Sequence, residues 1–305
     1  MIQRPSVSKV HTFTGHKDSL YALAAVSDHE FVSSGADGMV IQWNLQDFSQ
    51  AKMVAKVSTS VYALAYDPIL DYLFIGQNFD GLHVIELSIK RQVKSIQLTK
   101  SHIFDIKFDN EFIYLATGEG TVHVINRTTW LTVSVLNFSE KSARTLIVDD
   151  LQIYVGYSDG FVRIFDKIGF SMLQEFKAHD NSIFTMALHP NTDFILTGSR
   201  DAHLKIWNIA ELKNIALKED IIAHMYTINH IKFSQDGSYF LTCSMDKSIK
   251  IWNSLSMKLM RVIDKGRFAG HGTSVNKLLT MLYSNSLISC SDDRTISVWE
   301  IKFNQ

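Results

Sequence analysis

The chain of 305 residues is poor in residues that interrupt or cross-link a fold, with 3 prolines, 15 glycines and 2 cysteines. Two cysteines cannot build a disulfide framework. So few prolines and glycines leave no composition for a flexible linker between domains. Charge of one sign is missing too: lysine and arginine total 30 against 31 aspartate and glutamate, a net charge of −1. No run of basic residues supplies the stripe of a nucleic-acid binder. No apolar stretch approaches the roughly 20 residues that span a bilayer. The opening MIQRPSVSKVHTF lacks the apolar segment of a secretory signal. These absences lead to the expectation of a cytoplasmic protein with no membrane or nucleic-acid partner.

What is present is a repeat. Ala178 to Ile209 (AHDNSIFTMALHPNTDFILTGSRDAHLKIWNI) opens on Ala-His, closes on Trp-Asn-Ile and holds three strand-like runs split by turn residues. Its Trp207 has counterparts at Trp43, Trp252 and Trp299, and weaker ones at Ile85, Ile125 and Phe165. Successive markers stand 42, 40, 40, 42, 45 and 47 residues apart. That is the period of about 40–45 residues typical of four-stranded propeller blades. Four repeats share a fuller motif: Gly15-His16, Asp37 and Trp43-Asn44; Ala178-His179, Asp201 and Trp207-Asn208; Ala223-His224, Asp246 and Trp252-Asn253; Gly270-His271, Asp293 and Trp299-Glu300.

On these motifs the chain resembles the WD40-repeat family over essentially its whole length. It departs in repeats two to four, where Val57, Thr99 and Ser139 replace the repeat His. Repeat two is expected to lose one residue from its turn at Asp80-Gly81. The resemblance implies an all-β fold, a single seven-bladed propeller domain of four-stranded antiparallel blades spanning residues 1–305. Enrichment in β-branched and aromatic residues, punctuated by Asp-Gly pairs, agrees with strands. Residues 1–6 read as a loose tail and Lys9 to Thr14 as a strand. The last repeat stops soon after its third strand, so this N-terminal strand is expected to complete the last blade and remove the open edges. Asp264 to Ala269 reads as an exposed loop.

Recurring His, Ser, Asp and Trp raise the question of a catalytic triad. The sets are His179, Ser199, Asp201 and Trp207; His224, Ser244, Asp246 and Trp252; and His271, Ser291, Asp293 and Trp299. A hydrolase needs one nucleophile with one base and one oxyanion site, so three near-identical sets argue for an internal role. The resemblance implies a buried hydrogen-bond network running from Trp through Ser or Thr and His to the turn Asp. His16, Asp37 and Trp43 form a fourth set, expected to be incomplete because Gly35 holds the aligned Ser place, with Ser33 as the stand-in. The twelve histidines show no metal-ligand spacing, so neither metal nor cofactor is expected. Cys243 and Cys290, at equivalent places in adjacent repeats, read as small core residues. Gly118-Glu119-Gly120 lacks the context of a phosphate loop and reads as a hairpin turn.

The resemblance also implies where partners dock: the face carrying the loops into the innermost strands. Carried over position by position, the residue after the first apolar residue of each inner strand gives Tyr21, Tyr62, Phe104, Arg144, Phe184, Asn229 and Asn276. The place before each turn acid adds Ala36, Ser158, Arg200, Met245 and Asp292, of which Arg200 and Met245 join the expected contact set. Aromatic and Arg residues dominate interface hot spots. The expectation is a non-enzymatic scaffold or adaptor, a monomeric propeller alone or in a larger complex, binding a protein or peptide with an acidic or C-terminal group. Two rivals stand beside it. One is an enzyme at the channel mouth, with His102 and Asp105 the nearest candidates and Asp105 otherwise an exposed strand residue. The other is a reader of nucleic acid or of a ubiquitin-like protein.

Overall fold

The structure, a computed structural model, describes residues 4–303. Seven four-stranded antiparallel sheets follow one another around a ring. From the inside outward, blade one is Leu20–Ala25, Glu30–Gly35, Met39–Asn44 and Ala51–Lys56. The inner strands of blades two to seven are Val61–Asp67, Ile103–Phe108, Ala143–Val148, Ile183–Leu188, Ile228–Phe233 and Val275–Met281. Successive inner strands lie side by side around a central channel of about 860 Å³.

The core is divided among the interfaces between blades. Seven apolar clusters are present, and each draws on two neighbouring blades. The alternation of each strand explains this: both faces of every blade meet another blade, so both sets of side chains are apolar. Cys243 sits in the cluster between blades six and seven, and Cys290 in the one between blades seven and one. Both thiols are buried and free, and burial pushes both above the usual thiol range.

The chain ends meet in blade seven. The N-terminal strand Ser6–Phe13 pairs antiparallel with Ile296–Lys302, in register from Ser6 opposite Lys302 to Phe13 opposite Ile296. The strand starts three residues earlier than the sequence indicated. Residues 1–3 of the expected tail lie outside the described residues. Pro5 is buried, and its carbonyl accepts from Arg261 Nε at 2.8 Å. Phe13 reaches on into the next interface, 4.9 Å from Trp43 and 5.9 Å from Phe31 between ring centres.

Two local expectations are corrected. Asp264 to Ala269 is exposed as expected at residues 265–267 and 269, but it is not an irregular loop. Lys265–Phe268 is a helical turn capped by Asp264, whose side chain accepts from the Arg267 N–H, and Lys9 donates to the Ala269 carbonyl at 2.8 Å. Repeat two has lost no residue. Three residues separate Gln77 from Gly81 just as three separate Gly35 from Met39. Phe79 occupies the turn-acid place and takes the left-handed conformation, φ 65°, that falls one residue later in blade one, at Gly38. The Gly118 to Gly120 segment is a hairpin turn. Gly120 has φ +84°, and a Cβ there would stand 2.0 Å from the Ser139 carbonyl oxygen.

Deleting residues 1–14 should lower the melting temperature by roughly 10 °C or more, since it removes one strand ladder and the buried Phe13. A melting curve matching wild type, followed by circular dichroism, would show that the ring does not need its N-terminal strand.

Candidate functional site

The recurring polar sets are internal braces. In blade six the Trp252 indole donates to Thr242 Oγ1 at 2.9 Å, Thr242 Oγ1 lies 2.7 Å from His224 Nε2, and His224 Nδ1 lies 2.8 Å from Asp246. An indole N–H can only donate, so the hydroxyl proton is free for His224 Nε2 and the imidazole proton sits on Nδ1, facing the carboxylate. Blade five repeats the chain through Trp207, Thr197, His179 and Asp201, and blade seven through Trp299, Ser289, His271 and Asp293. Blade one is complete: Ser33 takes the Trp43 indole at 2.7 Å and His16 at 2.8 Å, and His16 meets Asp37 at 2.9 Å.

The hydroxyl named from the sequence is therefore corrected in three blades. Ser199, Ser244 and Ser291 are not the Trp and His partners. Their side chains accept instead from the backbone N–H of the turn acid, Asp201, Asp246 and Asp293, at 3.3, 3.0 and 3.2 Å. Both candidate hydroxyls face the same side of one strand, two residues apart, so alternation cannot separate them. The reach of the Trp ring selects the earlier one. In blades three and four, where the repeat His is missing, Thr99 donates to Glu119 at 2.7 Å and Ser139 to Asp159 at 2.8 Å, so a hydroxyl still ties down the turn acid.

The channel mouth is built by one device used seven times. Each inner strand carries a register shift between its first and third residues. The residue skipped is Tyr21, Tyr62, Phe104, Arg144, Phe184, Asn229 or Asn276. A β-bulge frees its residue from the ladder and re-aims the side chain, and all seven are half-buried in the channel wall. Tyr21 packs edge-on against Tyr62 at 4.7 Å, and Tyr62 stacks on Phe104 at 5.8 Å. The Arg144 guanidinium lies 4.0 Å from the centres of both Phe104 and Phe184, a double cation–π sandwich. Among the described residues it has no hydrogen-bond or ion-pair partner. Burial brings its pKa down to about 10, with Tyr62 opposing and Arg200 adding to the shift, so it stays charged at neutral pH.

The two asparagines do different work. Asn229 Nδ2 donates to the Val275 carbonyl at 2.8 Å, and Asn276 Nδ2 to the Leu20 carbonyl at 2.8 Å. They staple blade six to seven and seven to one, so their amide nitrogens are already engaged. Arg200 and Met245 are exposed on the same upper face. Three neighbours, Phe79, Met225 and Tyr226, were missed from the sequence, and His102 was singled out there only as an acid–base candidate. His102 stacks on Tyr62 and Phe104, at 5.6 and 5.4 Å, and Phe79 meets His102 edge-on at 4.7 Å. Met225, 79% exposed, and Tyr226 project beside Met245 in blade six. Their signal was present: Lys17-Asp18, Asp180-Asn181 and Gly272-Thr273 follow the other repeat histidines, and only here is the pair apolar and aromatic.

The two acid–base candidates both have structural partners. Asp105 is buried rather than exposed. It accepts from the Leu146 N–H at 2.8 Å, tying blade three to four, and from Lys107 at 2.9 Å. His102 belongs to the aromatic stack, where burial and then the Arg144 charge lower its pKa. Among the described residues no group of three His, Cys, Asp or Glu is placed to hold a metal ion, and no helix is long and apolar enough to cross a membrane.

With fold and mouth described, comparison with known proteins adds the family. Residues 7–44, 170–208, 217–253 and 264–300 match the WD40 family described as "WD domain, G-beta repeat". The chain is a WD40-repeat propeller. Its unmatched middle corresponds to the blades where a hydroxyl or Val57 replaces His. It is similar to WD repeat-containing protein 3 of Mus musculus, 22% identical over 218 residues, 62% of this chain and 23% of that protein. It is similar to nuclear distribution protein PAC1 of Candida albicans, 33% identical over 123 residues, 40% of this chain and 24% of that protein. A p21-activated protein kinase-interacting protein 1-like chain of Xenopus laevis is 19% identical over 70% of this chain and 59% of its own length. The chain thus aligns with only about a quarter of the first two relatives. The crystal structure of the WD40 β-propeller domain of Doa1 superposes with a TM-score of 0.86 over 97% of both chains at 16% identity, a likeness of fold alone.

Thr242→Val should cost about 2–4 kcal/mol of stability in chemical denaturation, because it leaves the Trp252 N–H and His224 Nε2 buried without a partner. Ser244→Ala should cost under about 1 kcal/mol; equal costs would contradict the assignment. The braces also make stability pH-dependent. Burial lowers the pKa of His16 and His224, so the unfolded chain takes up protons first, and stability should fall as pH drops below about 6.5. Burial opposes the charge of Asp37, Asp201, Asp246 and Asp293, yet their hydrogen bonds outweigh it and hold all four below the usual carboxylate value. A second loss should follow below about pH 4. A melting temperature constant between pH 8 and pH 4 would refute this linkage.

Proposed function

We propose that the chain is a non-enzymatic interaction module that holds a protein or peptide segment on the upper face of the ring, with an acidic or C-terminal group against Arg144. One observation carries the reading. Arg144 is a charged group clamped between two phenyl rings at a channel mouth, with no carboxylate of its own. Planar guanidinium pairs with carboxylate in a two-pronged geometry, and a clamp already formed spares the ordering cost of binding. Tyr21, Tyr62, Phe79 and His102 on one side, and Met225, Tyr226 and Met245 on another, offer apolar contact area beside it. Arg200 supplies a second cation. The free buried thiols Cys243 and Cys290 fit a reducing, cytoplasmic setting. WD40 relatives support a scaffold role in general, and one of them is named for interacting with a kinase.

The test is fluorescence anisotropy against a set of peptides ending in Asp or Glu, each paired with its amidated, neutral counterpart. Wild type should prefer the acidic members. The variant Tyr62→Ala, Arg144→Ala, Phe184→Ala should lose that preference while keeping a wild-type circular dichroism spectrum. Arg144→Lys should weaken binding roughly ten-fold, since lysine keeps the charge and loses the planar fork. Binding unchanged in the triple variant would move the site to the opposite face, where Ile69, Ile168 and Leu255 are exposed.

A further inference from the structure

Below the mouth, the channel wall is unevenly charged. Apart from Arg144 at the mouth, the charged residues lining it are Asp105, Lys107, Lys232 and Lys277: one anion and three cations in a chain whose net charge is −1. Asp105 is already engaged, since it bonds Lys107 at 2.9 Å and the Leu146 N–H at 2.8 Å. Among the described residues Lys232 and Lys277 have no ion-pair or side-chain hydrogen-bond partner. They rise from the inner strands of neighbouring blades, six and seven, into the same channel.

His230 and Thr185, which line the same channel, are donors as well. His230 Nδ1 accepts from the Leu278 N–H at 3.3 Å, which leaves the imidazole proton on Nε2. Thr185 Oγ1 accepts from the Ile231 N–H at 3.0 Å, which leaves its hydroxyl proton free. Burial first, and then Lys107 and Lys277, hold Lys232 below the usual lysine range. Burial leads for Lys277 too, with Asp105 opposing and Lys107 adding. Burial and the three lysines keep His230 neutral. Like charges held together in a partly desolvated wall cost stability unless something neutralises them.

We propose that the central channel is a binding site for a small phosphate-bearing polyanion, held by Lys232, Lys277 and Lys107 with donors from His230 and Thr185. One carboxylate would neutralise a single charge and accept few of these donors. A phosphate group carries more than one charge and three oxygens, and strong N⁺–H···O⁻ bonds form to each. The channel volume of about 860 Å³ lies within the range of small-molecule sites, about 300–1,000 Å³. The site lies deeper in the same cavity than the peptide-binding mouth proposed above, which rests on Arg144 and the aromatic rings.

Isothermal titration calorimetry of the full chain with inorganic pyrophosphate, at constant ionic strength, tests this. Wild type should bind with saturable one-to-one heat. Lys232→Met with Lys277→Met should lose more than about ten-fold in affinity, with an unliganded melting temperature no lower than wild type's, because methionine fills the space and the repulsion is gone. Should that pair not fold, Lys277→Gln alone should show a loss of the same direction. No saturable heat, or equal affinity in the lysine variants, would overturn the proposal. So would binding of a phosphoserine peptide without binding of free pyrophosphate, which would assign the lysines to a peptide's phosphate. Failure of the acidic peptides at the mouth would leave the pyrophosphate result untouched.

Discussion

Everything in this molecule depends on a strand ladder between residues at opposite ends of the chain. Ser6–Phe13 lies beside Ile296–Lys302, and without that pairing blade seven has three strands and an open edge. Seven blades buried face to face have no covalent link that closes the circle, since the chain ends are joined only by this ladder and the cores are interfaces rather than a common centre. Closing so long a loop costs entropy that grows only slowly with its length. A strand ladder together with Phe13 in the next interface is enough to hold it. Once closed, the ring over-determines the position of each inner strand, because each is packed on both sides.

That rigidity gives the mouth its chemistry. A bulge at the second residue of every inner strand removes seven side chains from the ladders and turns them toward one opening. Their identities then divide the ring. Blades one to five contribute Tyr21, Tyr62, Phe104, Arg144 and Phe184, an arc of rings around one cation. Blades six and seven contribute Asn229 and Asn276, which spend their amides on neighbouring backbone and close the arc mechanically. The third residue of several inner strands works the same way one layer down: Asp105, Thr185 and His230 each accept a backbone N–H from the following blade. Polar side chains facing the channel thus double as ring staples, and among the described residues Lys232 and Lys277 beside them have no side-chain partner.

The period, the markers and the motif residues made the blades and the closing strand legible, because each blade buries both faces and so must repeat its apolar pattern. The positions of the seven mouth residues came from the resemblance to the WD40-repeat family, carried over repeat by repeat. What each does was not legible. Asn229 and Asn276 occupy contact positions, but their bonds depend on backbone carbonyls of the next blade, which no single repeat encodes. Ser199 and Thr197 share a face and a chemistry, and only the length of the Trp207 side chain separates them. Phe79 was obscured because Asp80-Gly81 imitates the usual turn pair one residue late. The channel lysines stand at different heights on strands separated by as much as 170 residues (Lys107 and Lys277), so their convergence belongs to the closed ring and not to any stretch of sequence.

Native-state hydrogen exchange tests ring closure most directly. If the terminal ladder holds the circle, the paired amides of Ser6–Phe13 open only when the whole ring opens. Their protection should then match that of the inner strand Ile228–Phe233 within about ten-fold. Exchange of the Ser6–Phe13 amides at the rate of a fraying terminus, with the inner strands still protected, would contradict closure by the N-terminal strand and the preorganised mouth that depends on it.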